Sequence, residues 1–410
     1  MVTRLRRHPS VVLWCGNNEC QEAWYLGDWA ELSRRHLGER LYDHVLPNAV
    51  GDLSPDTPYW PGSPFGGPTT RSRTEGDFHD WYSLPNWRTY DKNAPLFSSE
   101  YGFRAMPERA TLDAAISPDK QFEPKPPQHH VWKHHHGWCG WMNAVLPEFG
   151  TPETLDEHIM LTQEAQATLM RYAIEVYRRR MFKTSGSLIW MYNEPWPAIT
   201  FAVVDYFGRQ KAAYHWVRRA YSGVMVMIYE LDGVTSCWGI SDLREEVSCE
   251  VRLRRFNHAG ELLGESNVTG SLGANASTCI VEELPEDIRI HQPKDEFIVA
   301  ELEAGEHRSE RTYHVADRRD WTLADVDVEV SVERTSEDNI RVTLASDGYA
   351  HFVSVSVADP TARYSDNFVD LLPGEPRSIE ISTREDGEIA VRSGNARGAV
   401  VAAVSVPPVK

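Results

Sequence analysis

Val11-Val-Leu-Trp-Cys-Gly-Asn-Asn-Glu19 is a short apolar run that stops at Gly16 and two amides, the way a buried parallel strand ends in a loop. A helical pattern follows over about 19–35, and another over about 39–46. Four more segments repeat the device: Thr57-Pro-Tyr-Trp-Pro-Gly-Ser63, Gly76-Asp-Phe-His-Asp-Trp81, Pro95-Leu-Phe-Ser-Ser-Glu-Tyr101 and Gly186-Ser-Leu-Ile-Trp-Met-Tyr192. Each reads as a strand closed by turn residues. An amphipathic helix is predicted over about 152–180 with Thr151 as its N-cap, and another over 209–220. Strands alternating with helices imply a parallel α/β arrangement.

Near residue 222 the chain changes character. Residues 223–410 carry 35 Asp/Glu against 18 Lys/Arg, a balance of −17 within the whole-chain −18, while 1–222 are nearly neutral. Twelve of the fourteen tryptophans lie in the first part. Val328-Glu-Val-Ser-Val-Glu333 and Phe352-Val-Ser-Val-Ser-Val357 alternate with period two, punctuated by Asp347-Gly and Asp386-Gly, which is antiparallel sandwich material. Three domains are expected: 1–222, 223–318 and 319–410, with Asp317-Arg-Arg-Asp320 at the second join.

The acidic balance argues against a nucleic-acid partner. No run of eighteen apolar residues is present, so no membrane-spanning helix is expected. The N-terminus shows no signal-peptide apolar region, which favours a cytoplasmic location. Six cysteines without C-x-x-C spacing indicate neither a zinc site nor a disulfide framework.

Glu19 and Glu100 stand near the ends of two predicted parallel strands, where active sites of α/β barrels gather. Two carboxylates facing each other from strand ends are what glycosidic bond cleavage requires, although most Glu residues are simply solvated.

The segments resemble glycoside hydrolase family 2 in family order. Arg6-Arg-His-Pro-Ser-Val-Val-Leu-Trp-Cys-Gly-Asn-Asn-Glu19 is similar to its acid/base segment, and the doubled Asn points to the β-mannosidase branch. Phe97-Ser-Ser-Glu-Tyr-Gly-Phe103 resembles the nucleophile segment, and Gly76-Asp-Phe-His-Asp-Trp81 the strand between them. Ser187-Leu-Ile-Trp-Met-Tyr-Asn-Glu-Pro-Trp-Pro197 with Asp205-Tyr-Phe-Gly-Arg-Gln-Lys211 is similar to the last barrel strand and the helix after it. Tyr364-Ser-Asp-Asn-Phe-Val-Asp-Leu-Leu-Pro-Gly-Glu375 resembles the C-terminal immunoglobulin-like module.

The resemblance implies strands 4 to 8 of a (β/α)8 TIM barrel followed by two immunoglobulin-like sandwiches. It implies a retaining exo-glycosidase acting on terminal β-D-mannosyl residues, with Glu100 as nucleophile and Glu19 as acid/base. Asn18, His79, Trp81, Tyr101, Trp190 and Trp196 would bind the sugar. No cofactor and no metal are implied. Another family 2 specificity, such as β-glucosaminidase, and a non-catalytic carbohydrate-binding or assembly subunit remain alternatives. Five strands where a closed barrel needs eight lead us to expect a polypeptide supplying the N-terminal half, or self-association.

Asn193-Glu194-Pro195 and Pro147-Glu148-Phe-Gly150 imitate catalytic signatures out of context. His129, His130, His134, His135 and His136 invite a metal reading, but their ligand set is thin and a solvated loop is the expectation. Trp24, Trp29, Trp132, Trp138 and Trp141 read as core.

Overall fold

All five strand segments form strands, and all of their pairings are parallel. The structure, a computed structural model, describes residues 1–26, 38–67, 72–81, 86–121, 129–136, 140–383, 387–395 and 400–405. Its chain falls into two units: residues 1–101 with 180–189, and residues 102–179 with 190–410.

In the first unit β1 (Trp14–Cys15) pairs with β2 (Tyr59–Trp60). A second sheet takes β3 (Phe78–His79), β4 (Ser98–Tyr101) and β5 (Ser187–Ile189) in that order. The strands are two to four residues long. Among the described residues they make two separate sheets, not the continuous five-stranded arc expected of a partial barrel. Glycines permit the close approaches. A Cβ on Gly16 would stand 2.3 Å from the Tyr59 hydroxyl, and one on Gly76, at φ 68°, would stand 1.6 Å from the Phe65 carbonyl oxygen. A left-handed φ and a backbone this near leave room only for glycine.

Helices depart from the sequence reading in instructive ways. The first runs Cys20–Leu26, and the rest of its expected span lies outside the described residues. The helix expected over about 39–46 is present as a π-helical turn, Leu41–Val45, that runs directly into α-helix over Leu46–Leu53, so the helical stretch is longer than expected. The long helix Leu155–Arg179 is capped by Thr154, not Thr151. Glu157 N donates to Thr154 Oγ1 at 3.2 Å, while Glu157 Oε2 accepts from the Glu153 and Thr154 amides. This reciprocal capping box is worth about 1 kcal/mol. The histidine-rich stretch is not a loop either: His130–His136 is helical. Its apolar anchor is Trp132, fully buried among Met106, Leu112, Ile116 and Ile159. His136 is buried one turn on, and burial pushes its pKa down to about 4, so the ring is neutral.

Beyond the helix Ala212–Ala220, where one was expected over 209–220, the second unit forms two β-sandwiches. One packs a three-stranded sheet (Val224–Leu231, Val234–Ser241, Ala276–Val281) on a four-stranded one (Val247–Asn257, Leu262–Leu272, Glu296–Ala304, His307–Tyr313). The other packs Val328–Ser336, Asn339–Ser346, Arg363–Tyr364 and Arg377–Ser382 on Ala350–Ser356, Val369–Leu371, Glu388–Arg392 and Val400–Ser405. Alternate residues face inward, so Val251, Leu253, Ile298, Ala300 and Leu302 fill the first core, and Ile340, Val342, Leu344, Ile379 and Ile381 the second.

A mixed ring stack ties these parts together. His314 lies on Trp321 at 3.7 Å, Phe297 on Tyr349 at 4.2 Å, and His258 beside Phe297 at 5.6 Å. Beside it, buried His351 is gripped from both ring nitrogens: Nε2 is 2.9 Å from Glu164 Oε1 on the long helix, and Nδ1 is 2.9 Å from Asp370 Oδ1. Arg318 Nε adds a contact to Glu164 at 3.2 Å. Burial opposes a charged ring here, but the Asp370 and Glu164 carboxylates overcome it and raise His351 to about 9. No described helix is long and apolar enough to cross a membrane.

Candidate active site

Strand ends in the first unit bring Glu19, His79 and Glu100 together, with one donor atom from each lying within 4.8 Å of the others. His79 and Glu100 are register partners on β3 and β4. Glu19 arrives from the loop after β1. Its backbone is in the left-handed region at φ 57°, a conformation that costs a non-glycine residue about 1–3 kcal/mol and persists only where surrounding contacts hold it. Its N–H donates to the Ser63 carbonyl at 2.7 Å, and its own carbonyl accepts from Ala23 N at 2.8 Å.

The two consecutive asparagines do different work. Asn17 Oδ1 accepts from Cys20 N at 2.9 Å and Asn17 Nδ2 donates to the Pro61 carbonyl at 2.6 Å, so Asn17 fixes the loop and caps the helix. Asn18 forms a backbone bridge with Ser63. It is exposed, and its side-chain amide has no partner among the described residues.

His79 carries most of the site's order. Its ring is buried, Nδ1 lies 2.7 Å from Glu19 Oε1, and Nε2 lies 2.9 Å from Ser63 Oγ. Ser63 Oγ donates to Asp77 Oδ2 at 2.6 Å, and Ser99 Oγ donates to the same oxygen. With its single proton committed to Asp77, Ser63 must accept from His79 Nε2–H. Nδ1 therefore either accepts the proton of a neutral Glu19 or, in the imidazolium, donates to its carboxylate. One proton is shared between them. Burial disfavours the charged ring, yet the hydrogen bond to Glu19 and the charges of Glu100 and Asp77 raise the His79 pKa.

Glu100 is buried, and desolvation raises its pKa. His79 and the Trp81 indole, which donates to Glu100 Oε1 at 3.1 Å, pull the other way, while Glu19 pushes with burial. The same three side chains have the spacing of a cation ligand set. Glu19 and Trp81 already occupy His79 Nδ1 and Glu100 Oε1, so hydrogen bonding accounts for the cluster.

Of the residues singled out in the sequence, Glu19, His79, Trp81 and Glu100 thus meet in one place, with Asn18 beside Glu19. Tyr101 is a correction. It has no exposed surface and packs edge-on against Tyr90, with ring centroids 6.5 Å apart, so it is a core residue with nothing left to offer a sugar. Trp190 and Trp196 belong to the second unit. Both are partly exposed, and Trp196 packs on the His134 and His135 rings at 5.3 and 5.0 Å. Glu194 is buried in that unit and accepts from Thr200 Oγ1 at 2.9 Å, with Lys211 Nζ 4.0 Å away. Burial pushes the Lys211 ammonium down to about 8. Ser63, Asp77 and Ser99 were missed as functional residues. Position was a signal for two of them, since Asp77 directly precedes β3 and Ser99 lies next to Glu100 in β4, whereas Ser63, beyond the end of β2, carried none.

The chain is similar to several known proteins. Residues 233–320 match a mannosidase Ig/CBM-like domain and residues 323–396 an Ig-fold domain of mannosidases. β-Mannosidase B of Aspergillus clavatus is 28% identical over 438 residues, covering 95% of this chain and 50% of its own length. The Emericella nidulans β-mannosidase B is 32% identical over 292 residues, covering 61% of this chain and 34% of its own. The crystal structure of Dictyoglomus thermophilum β-D-mannosidase superposes with a TM-score of 0.83 at 29% identity, over 96% of this chain and 49% of that one. The Amycolatopsis orientalis exo-chitosanase superposes at 0.72 with 17% identity, over 99% of this chain and 53% of its own, a likeness of fold alone. The chain spans about half the length of the curated relatives it matches. In sequence, in domain content and in fold, the chain resembles the C-terminal portion of glycoside hydrolase family 2 proteins of the β-mannosidase branch.

Proposed function

We propose that this chain carries the nucleophile and the acid/base of a retaining exo-β-mannosidase, and that its five parallel strands are strands 4 to 8 of a (β/α)8 barrel. One observation carries the reading: carboxylate oxygens of Glu19 and Glu100 lie within 4.8 Å of each other, bridged by His79. That spacing suits carboxyl groups about 5–5.5 Å apart, as double displacement uses, and leaves no room for the water that an inverting pair holds between groups about 6.5–9.5 Å apart.

In the first step a Glu100 oxygen attacks the anomeric carbon. The glycosidic C–O bond breaks, and its oxygen leaves with the proton of Glu19. In the second, Glu19 takes a proton from water, the water oxygen bonds to the anomeric carbon, and Glu100 departs as carboxylate. His79, already sharing a proton with Glu19, holds that carboxyl in place through both steps. The exposed amide of Asn18 is positioned to hydrogen-bond a sugar hydroxyl, and Trp81 orients Glu100.

The experiment is hydrolysis of an aryl β-mannoside by the 410-residue chain, alone and mixed with a polypeptide covering the other half of such a relative, with the first-released anomer read by NMR. Initial release of β-mannose is expected. Release of the α-anomer first would overturn double displacement, and cleavage of β-glucosaminides in preference to β-mannosides would overturn the sugar assignment.

A further inference from the structure

The second unit contains a cavity of about 350 Å³ that the hydrolytic reading does not use. None of its lining residues belongs to the unit holding Glu19 and Glu100. Its walls are the Glu108–Arg109 turn, the first turns of the helix Leu155–Arg179, the Arg209–Gln210 segment, and strands Ala350–Ser356 and Glu388–Arg392 of the C-terminal sandwich. The volume lies in the roughly 300–1,000 Å³ range of small-molecule sites.

The cavity's charge is close to balanced: three arginines (109, 209, 392) face four carboxylates (Glu108, Asp113, Asp156, Asp359). An ion of either sign would meet repulsion from half of the lining. A neutral ligand whose groups both donate and accept would not, and hydroxyls do both. Polar capacity is left over for it. Among the described residues, the Arg392 guanidinium has no hydrogen-bond or ion-pair partner. Gln210 Oε1 is buried with no donor in reach. Only one oxygen of Glu108 is engaged, by Gln163 Nε2 at 3.0 Å. Ile159, Met160 and Val355 add apolar wall for a ring's C–H face.

Backbone strain at the same cavity is an independent sign. Phe352 and Phe368 both line it, and both are bulky residues held at positive φ, 54° and 51°. Each costs about 1–3 kcal/mol, and such strain gathers at ligand sites. Their amides are pinned by Asp370 Oδ1 at 3.0 Å and Asn367 Oδ1 at 2.9 Å, so the wall is preorganised.

We propose that this cavity is a second carbohydrate-binding site, taking one or two neutral sugar rings between the C-terminal sandwich and the helices packed on it. Sugar held there would tether the protein to a glycan independently of bond cleavage.

The test is calorimetric titration of mannobiose into the full chain carrying Glu19→Gln and Glu100→Gln, so that neither carboxylate can turn the sugar over. One site is expected to persist and to weaken at least tenfold with Arg392→Ala. Ser354→Phe, which fills the cavity from the strand paired with Arg392, should abolish it. Melting temperatures report whether each variant is folded, and Arg392→Lys, which keeps the charge but not the fork, should bind with intermediate affinity. Three results would overturn the proposal: binding indifferent to both cavity substitutions in folded protein, no mannobiose binding at millimolar concentration, or binding of inorganic phosphate in place of the sugar.

Discussion

The two kinds of sheet in this chain divide labour by length. Parallel strands in the first unit are two to four residues long, carry His79 and Glu100 and lead into the loop that holds Glu19, whereas sandwich ladders reach eleven residues. A short strand buries little apolar surface, so its order rests on polar links such as Asp77–Ser63–His79–Glu19. A long ladder with one face inward buries a continuous core and can hold its shape on hydrophobic contact. The proposed chemistry thus sits where order is local and polar, and stability where it is extended and apolar. Substitutions in the two regions should therefore fail differently.

Removing the proposed nucleophile should give the largest effect. Glu100→Ala is expected to cut hydrolysis of an aryl β-mannoside by at least about a thousandfold with little change in melting temperature, in an assay of the chain supplemented with the remaining half. Near-full turnover would sink the assignment. Glu19→Ala should lose about 10²–10⁴-fold on substrates with poor leaving groups, and much less on activated aryl glycosides, which need no proton to depart. Equal losses on both would deny Glu19 the acid role.

The sandwich side should break thermodynamically. His351→Ala leaves Glu164 and Asp370 facing each other without their shared cation, at a cost of about 3–5 kcal/mol, read as a fall in denaturation midpoint with the active-site cluster untouched. The pH dependence has a definite sign. His351 titrates near 6.5 in the unfolded chain and at about 9 when folded, so its contribution is complete below pH 6.5 and fades as pH rises through about 9. Glu164 is opposed by burial, but Arg318 and His351 pull it below the ordinary carboxylate range. Its contribution is present above that range and is lost as the pH falls through it. A melting temperature flat between pH 6 and 10 would contradict the His351 term.

Smaller effects sharpen the contrast. Because burial raises Glu100 and a nucleophile must be ionised, the acid limb of kcat/KM should fall above the ordinary carboxylate range. An acid limb at or below that range would separate Glu100 from it. The smallest effect concerns the −17 balance of residues 223–410. Salt should screen their repulsion and raise the melting temperature by about 2 °C. Ion pairs such as Arg341–Glu380 at 2.6 Å and Arg252–Glu265 at 2.9 Å weaken in the same salt and keep the gain small.

Much of this was legible because it is written in short-range pattern. Five apolar runs closed by Gly, Pro or Asn marked the parallel strands, and period-two alternation marked the sandwiches. Glu19 and Glu100 stood out because strand ends collect site residues. Ser63 and Asp77 did not, since their roles arise only when loops fourteen residues apart converge on the Nε2 side of His79. The histidine-rich helix was hidden by composition. Its periodicity lies in Trp132 and His136, an i, i+4 pair facing inward with rings 5.7 Å apart, while the eye counts imidazoles. Thr154 lost to Thr151 for the cap only because both precede the same apolar pattern, and Glu157 three residues on was the deciding clue.

The buried imidazole shared by Glu164 and Asp370 also bears on modularity. A designer wishing to transplant residues 323–396 onto another scaffold would cut away Glu164, Arg318 and Trp321 while keeping His351, Tyr349 and Asp370. The graft would arrive with an ionised carboxylate–imidazole pair and a freshly uncovered aromatic face, prone to sticking to its neighbours. A clean transplant would have to take the long helix along, or rewrite His351 and Asp370 as an apolar pair. Sequence similarity draws the seam at residue 323, but the charge that closes the fold lies across it.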